Sequence, residues 1–204
     1  MSATELLILF IISLIANLLS ALAGGGAGLL QLPALLFLGL PFPTALATHK
    51  IASVALGVGA SIRHWQSEKL DVRFSLFILA AGLPGVWLGT QVILDVPEQW
   101  AKLALGILTI GIGVYSLLKP NLGQKNERKV YDIRRLSIGC SILFIIGVLN
   151  GSLTSGTGLF VTLWLIRWFG FDFTRAVAYT LILVGLFWNG VGALFLAQQT
   201  NVAW

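Results

Sequence analysis

Long apolar runs separated by short polar corners dominate the chain. Leu6–Ala23 is the first, and it approaches the roughly 20 residues that a bilayer-spanning helix needs. A glycine-rich break follows. Leu29–Leu40 is also apolar, but at about 1.5 Å of rise per residue it is too short to cross alone. Pro41-Phe42-Pro43 reads as a corner, and Thr44–Ile62 is the next candidate span, with His49 and Lys50 inside it. Beyond a polar loop, Arg63–Arg73, come two plain spans, Phe74–Leu94 and Ala101–Leu118, joined by Asp95–Trp100.

After a basic linker, Lys119–Arg135, the opening pattern returns. Leu136–Leu153 is a span, Ser152–Gly158 a break, Leu159–Phe169 a short segment, Phe171-Asp172-Phe173 a corner and Thr174–Ala197 a long span. Gly24-Gly25-Gly26-Ala27-Gly28-Leu29-Leu30 is matched loosely by Ser155-Gly156-Thr157-Gly158-Leu159-Phe160, and Thr44-Ala45-Leu46-Ala47-Thr48-His49-Lys50 by Arg175-Ala176-Val177-Ala178-Tyr179-Thr180. The pattern predicts an all-α polytopic membrane protein with two inverted repeats, each opening on a glycine-broken helical hairpin. The repeats are residues 1–118 and 136–204, joined by a cytoplasmic linker over 119–135. The first repeat continues for two spans beyond the point where the second stops, so the second reads as truncated.

Composition agrees with a membrane protein. The chain is 57% hydrophobic and 10% charged, with mean hydropathy +0.91, whereas soluble domains carry about 25% charged residues. Leu6–Ala23 lacks a basic flank and follows Glu5, so it reads as a retained span rather than a cleaved signal peptide. The net charge of +5 comes from basic residues in short loops, the positive-inside pattern, and does not point to nucleic acid. Cys140, the single cysteine, lies in an apolar stretch and is expected to be an inert core residue. His49, His64 and Cys140 are too few for a zinc cage. Neither a nucleophile elbow nor a phosphate-binding loop occurs. No enzyme activity and no cofactor are therefore expected, and transport would draw on an ion or substrate gradient.

Charge also orients the spans. Lys119, Lys125, Arg128, Lys129, Arg134 and Arg135 make the linker cytoplasmic. Counting outward puts Asp95–Trp100 outside and Arg63–Arg73 inside. If each break is a hairpin turn, Pro41–Pro43 falls outside while Arg167 and Arg175 return inside. Equivalent corners then carry opposite charge bias, as inverted repeats require. If each broken segment crosses once, Arg167 and Arg175 fall outside, against the rule.

The motifs Gly24–Pro33, Leu38-Gly39-Leu40-Pro41 and Ala45-Leu46-Ala47-Thr48-His49-Lys50 resemble the sulfite exporter TauE/SafE family, also called the four-toluene-sulfonate-uptake permease superfamily. The family usually carries Asn where His49 stands, and its members usually continue past the position of Trp204. The resemblance implies a secondary transporter of small sulfur-containing oxyanions (sulfite, sulfonates, sulfoacetate) in a bacterial plasma (inner) membrane. An incomplete or accessory membrane protein that does not transport is the other reading, and a homodimer is one way to supply absent helices.

Candidate site residues follow from the breaks. The segments after them would begin as helix N-termini inside the membrane, where unpaired N–H groups and the positive dipole end favour anions. Gly24, Gly25, Gly26 and Gly28 would let substrate approach the backbone, as would Gly156 and Gly158. Ser152, Thr154, Ser155 and Thr157 add hydroxyls, and Asn150 stands beside the second break. The alternative role of the glycines is close helix packing. Lys50 is either a fixed positive charge near the anion or a side chain that snorkels to the interface. His49 either moves a proton or serves as a neutral hydrogen-bonding group. Gln31, Tyr179, Thr180 and Asn189 either line the path or join helices.

Overall fold

The computed structural model describes residues 3–65, 70–118 and 132–199. All regular structure among them is helical: α1 (Ala3–Ala23), α2 (Gly28–Phe37), α3 (Phe42–Trp65), α4 (Val72–Asp95), α5 (Glu98–Leu118), α6 (Ile133–Ser152), α7 (Thr157–Phe169), α8 (Phe173–Tyr179), a π-helical segment (Thr180–Trp188) and α9 (Asn189–Ala197). The last three run on as one apolar helix, Phe173–Ala197. Among the described residues, five helices are long and apolar enough to cross a membrane, whereas α2 and α7 are shorter. This is an all-α integral membrane protein. Lys125, Arg128 and Lys129 of the basic linker, Lys69, and Asn201–Trp204 lie outside the described residues.

Local chemistry moves several helix ends outward from the apolar runs. Asp71 accepts from the N–H groups of Arg73 and Phe74, Asp132 from Arg135, and Asp172 from Arg175, so an aspartate caps α4, α6 and α8. Ile133, Arg134 and Arg135 consequently belong to α6 rather than to the linker. Pro43 sits in the first turn of α3, where a missing N–H removes no helical bond. The corner expected at Pro41–Pro43 is thus largely helix.

Both broken segments are hairpins. Across the first break Gln31 Nε2 donates to Ser13 Oγ at 2.8 Å, tying α2 back onto α1. Across the second, the Arg135 guanidinium donates to the Trp168 carbonyl and the Trp168 indole to the Arg135 carbonyl, both at 3.0 Å. The end of α7 therefore returns beside the start of α6, and the single-crossing alternative does not describe this chain.

The most extensive helix pair is α4 with α6. Its contact is backbone on backbone. A Cβ on Gly85 or Gly89 would run into the carbonyls of Phe144 or Val148, and one on Gly147 or Gly151 into those of Gly82 or Val86. Small residues allow this approach, which suits helices that have no hydrophobic drive to associate within lipid. Beside this seam the fully buried Trp188 ring fills the space above Gly82. An aromatic cluster of Phe74, Phe77, Phe169, Phe171 and Tyr179 closes one end of the core.

Cys140 corrects the expectation of a core residue, since it is exposed on α6. Apolar neighbours in sequence do not separate a core face from a lipid face, because lipid tails are as apolar as the core. The π-helical segment is also absent from the sequence reading. It carries Gly185, and a Cβ on Gly57 of α3 would collide with the Gly185–Leu186 backbone, so the two helices cross in direct contact.

Candidate functional site

The two breaks solve one conformational problem with different residues. In the first, Gly24, Gly25 and Gly26 have φ of 79°, 124° and 99°, a run of backbone that only glycine adopts readily. The second uses Thr154 at 58° and Gly156 at 69°. A β-branched residue rarely takes this conformation. Thr154 is held in it by its hydroxyl, which donates to the Asn150 carbonyl at 2.5 Å, and by its N–H, which donates to the Leu149 carbonyl at 3.0 Å.

The breaks meet each other. A Cβ on Gly25 would lie 2.8 Å from Gly158 Cα, and one on Gly158 would lie 3.1 Å from Gly25 Cα. Two helix N-termini, at Gly28 and Thr157, therefore start side by side. The N–H groups of Gly26, Ala27, Gly28 and Gly158 have no hydrogen-bond partner among the described residues. These residues line a cavity of about 40 Å³. A site needs roughly 10–15 Å³ to hold one water, so this cavity suits a group of very few heavy atoms, the size of one oxyanion head.

Polar side chains furnish the walls. Gln31 uses its amide nitrogen on Ser13, so its Oε1 accepts from His49 Nδ1–H at 2.7 Å. That fixes the tautomer and leaves His49 Nε2 facing the cavity, 3.4 Å from Ser53 Oγ. Thr162 and Thr180, also 18 residues apart, make the corresponding bond in the second half at 2.8 Å. Asn150 Nδ2 donates to Thr157 Oγ1 at 2.9 Å and to Asn189 Oδ1 at 3.2 Å. Thr157 Oγ1 in turn donates to the Thr154 carbonyl at 2.7 Å.

Lys50 is fully buried, yet it does not line the cavity. Its ammonium group donates to the carbonyl of Asn150 at 2.8 Å and to Asn150 Oδ1 at 3.2 Å, and its stem packs on Gly192. Since α6 ends at Ser152, Lys50 also meets the negative end of that helix dipole. The side chain neither snorkels nor reaches the cavity. It orients the Asn150 amide.

Of the residues singled out from sequence, Gly25, Gly26, Gly28, His49, Asn150, Thr154, Thr157, Gly158, Thr180 and Asn189 are brought together around the cavity. The others stand off it. The Gly24 carbonyl accepts from Thr162 Oγ1 at 2.7 Å, Ser152 Oγ donates to the Val148 carbonyl at 2.9 Å, and Gly156 packs on Ile112 and Leu29. Ser155 is buried, with its hydroxyl unpartnered among the described residues. Tyr179 accepts from the Asp71 N–H at 2.8 Å. Ser20 and Ser53 were not foreseen. Ser20 precedes the first break much as Asn150 precedes the second, and Ser53 lies one helical turn beyond His49.

The family described as Sulfite exporter TauE/SafE matches residues 9–204. A probable membrane transporter protein of Haemophilus influenzae is 31% identical over 178 residues, covering 87% of this chain and 69% of the relative. The probable membrane transporter protein YfcA of Escherichia coli K12 is 29% identical over 192 residues, covering 93% of this chain and 68% of the relative. No solved structure matches the chain significantly. The chain belongs to the sulfite exporter TauE/SafE family of membrane transporters.

Proposed function

We propose that this protein is a secondary transporter or exporter of small sulfur-containing oxyanions (sulfite, sulfonates or sulfoacetate), bound between the two glycine-broken helix N-termini. One observation carries the reading: two breaks from different halves of the chain meet at Gly25 and Gly158, and unpaired N–H groups from both flank one small cavity. Convergent N–H donors and two positive dipole ends favour a compact anion. Asn150, held by Lys50, and His49, held by Gln31, line the same cavity; His49 Nε2, with Nδ1–H already given to Gln31, donates to the anion once the ring is protonated. The halves act as inverted repeats, and rocking one against the other exposes the cavity to each side in turn. The anion's own gradient or a coupled ion supplies the energy.

The test is a thermal-shift series on detergent-purified protein with sulfite, sulfate, sulfoacetate, taurine and chloride at matched ionic strength. A ligand that binds only the folded state adds about 2.7 kcal/mol at a hundredfold excess over its dissociation constant. A rise specific to one sulfur oxyanion is expected. Well-folded protein stabilised by none of them would instead favour a non-transporting accessory role.

A further inference from the structure

A second site lies away from the cavity, on the outer face of the α6–α7 hairpin. At the end where the hairpin closes, a hollow of about 260 Å³ is lined by Asp132, Arg134, Arg135, Ile138 and Trp168. Next along the same two helices, with Tyr115 of α5 as a further wall, is a mainly apolar cleft of about 320 Å³. The two are continuous in sequence pattern. Ile138, Ile142, Ile146 and Leu149 fall on one stripe of α6, and Trp168, Trp164 and Phe160 on one stripe of α7. From Ile138 to Leu149 the stripe runs roughly 16 Å along the helix.

The chemistry changes along this groove. Its head is basic: Arg134 is exposed, and the Arg135 guanidinium lies 5.5 Å from the Trp168 ring centre. Asp132, the acidic residue there, already accepts from the Arg135 N–H at 2.8 Å. Arg167 stands at the rim of the cleft. Below, Trp164 stacks on Trp168 at 5.0 Å with rings 8° from parallel. The Trp164 ring lines the cleft, while its indole N–H is turned away from it and buried. From there to Leu149 the lining is apolar apart from the Tyr115 hydroxyl.

We infer that this groove binds one anionic glycerophospholipid of the surrounding bilayer. Its phosphate meets Arg134 and Arg135, and an acyl chain lies along Ile142, Ile146, Phe160 and the Trp164 ring. A soluble anion would leave the apolar cleft unused, and an apolar helix from another protein would leave the arginines without a counter-charge. Basic pockets between membrane helices favour anionic headgroups on this same electrostatic ground. The inference is independent of what the central cavity carries.

The test uses the full chain, purified in mild detergent and delipidated. Binding of palmitoyl-oleoyl phosphatidylglycerol, of phosphatidylcholine with the same chains, and of soluble glycerol 3-phosphate is measured by native mass spectrometry. Phosphatidylglycerol should bind at least tenfold more tightly than either of the others. Arg134→Gln, a change on an exposed side chain, should reduce it to the phosphatidylcholine level, and Trp164→Phe should weaken both lipids. Equal binding of the two lipids by the unaltered protein would overturn the inference. So would glycerol 3-phosphate binding as tightly as phosphatidylglycerol, which would mark a site for soluble anions. If Arg134→Gln does not fold, the comparison on the unaltered protein decides alone.

Discussion

His49 Nδ1 lies 2.7 Å from Gln31 Oε1, joining the short helix after the first break to the long helix that follows it. The bond turns a flexible imidazole into a fixed part of the cavity wall. Gln31→Leu removes the acceptor and leaves a buried N–H unpaired, which costs about 1–3 kcal/mol. The melting temperature of the detergent-purified variant should fall accordingly. An unchanged melting curve would mean the bond has no structural role.

Lys50 and Asn150 should act as one unit. Lys50→Met and Asn150→Ala are each expected to weaken oxyanion binding at least tenfold, which is about 1.4 kcal/mol. The double variant should be no worse than the poorer single variant, to within about 0.5 kcal/mol. Additive losses in titrations of all four proteins would instead place the ammonium group on the anion itself.

The contact between the breaks sets up an unequal pair of substitutions. Gly25→Ala adds a Cβ 2.8 Å from Gly158 Cα on backbone with φ of 124°. Gly158→Ala adds one 3.1 Å from Gly25 Cα, within a helix that tolerates alanine. We expect Gly25→Ala to abolish folding or binding and Gly158→Ala to retain folded protein with weaker binding. Size-exclusion profiles and the thermal-shift series separate these outcomes, and equal effects would contradict the geometry.

Cys140 offers a check on which face of α6 meets lipid. A spin label on this single cysteine should relax faster with oxygen, which partitions into lipid, than with a water-soluble nickel chelate. Strong immobilisation with access to neither reagent would restore the core position that its apolar neighbours suggested.

The broken spans and their repetition were legible because glycine runs and short apolar segments are local signals. Which groups share a cavity was only partly legible. Lys50 follows His49 directly in sequence, yet successive residues on a helix point about 100° apart, and only one of the two reaches the cavity. The π-helical stretch Thr180–Trp188 is apolar on all sides and has no period to reveal it. Cys140 was misplaced because a lipid-facing surface and a protein core share one composition. Thr154 shows the opposite case: the glycine run had eroded in sequence, but a hydroxyl bonded to the Asn150 carbonyl preserves the turn.

The meeting of Gly25 and Gly158 puts bare polypeptide, rather than side chains, at the centre of the molecule. Peptide N–H groups neither titrate in the physiological range nor swing between rotamers. A lining made of them has a constant electrostatic character, and substitution in neighbouring side chains alters its shape more readily than its sign. Any response of the cavity to acidity must then enter through His49, through Lys50 by way of Asn150, or through the ligand's own proton.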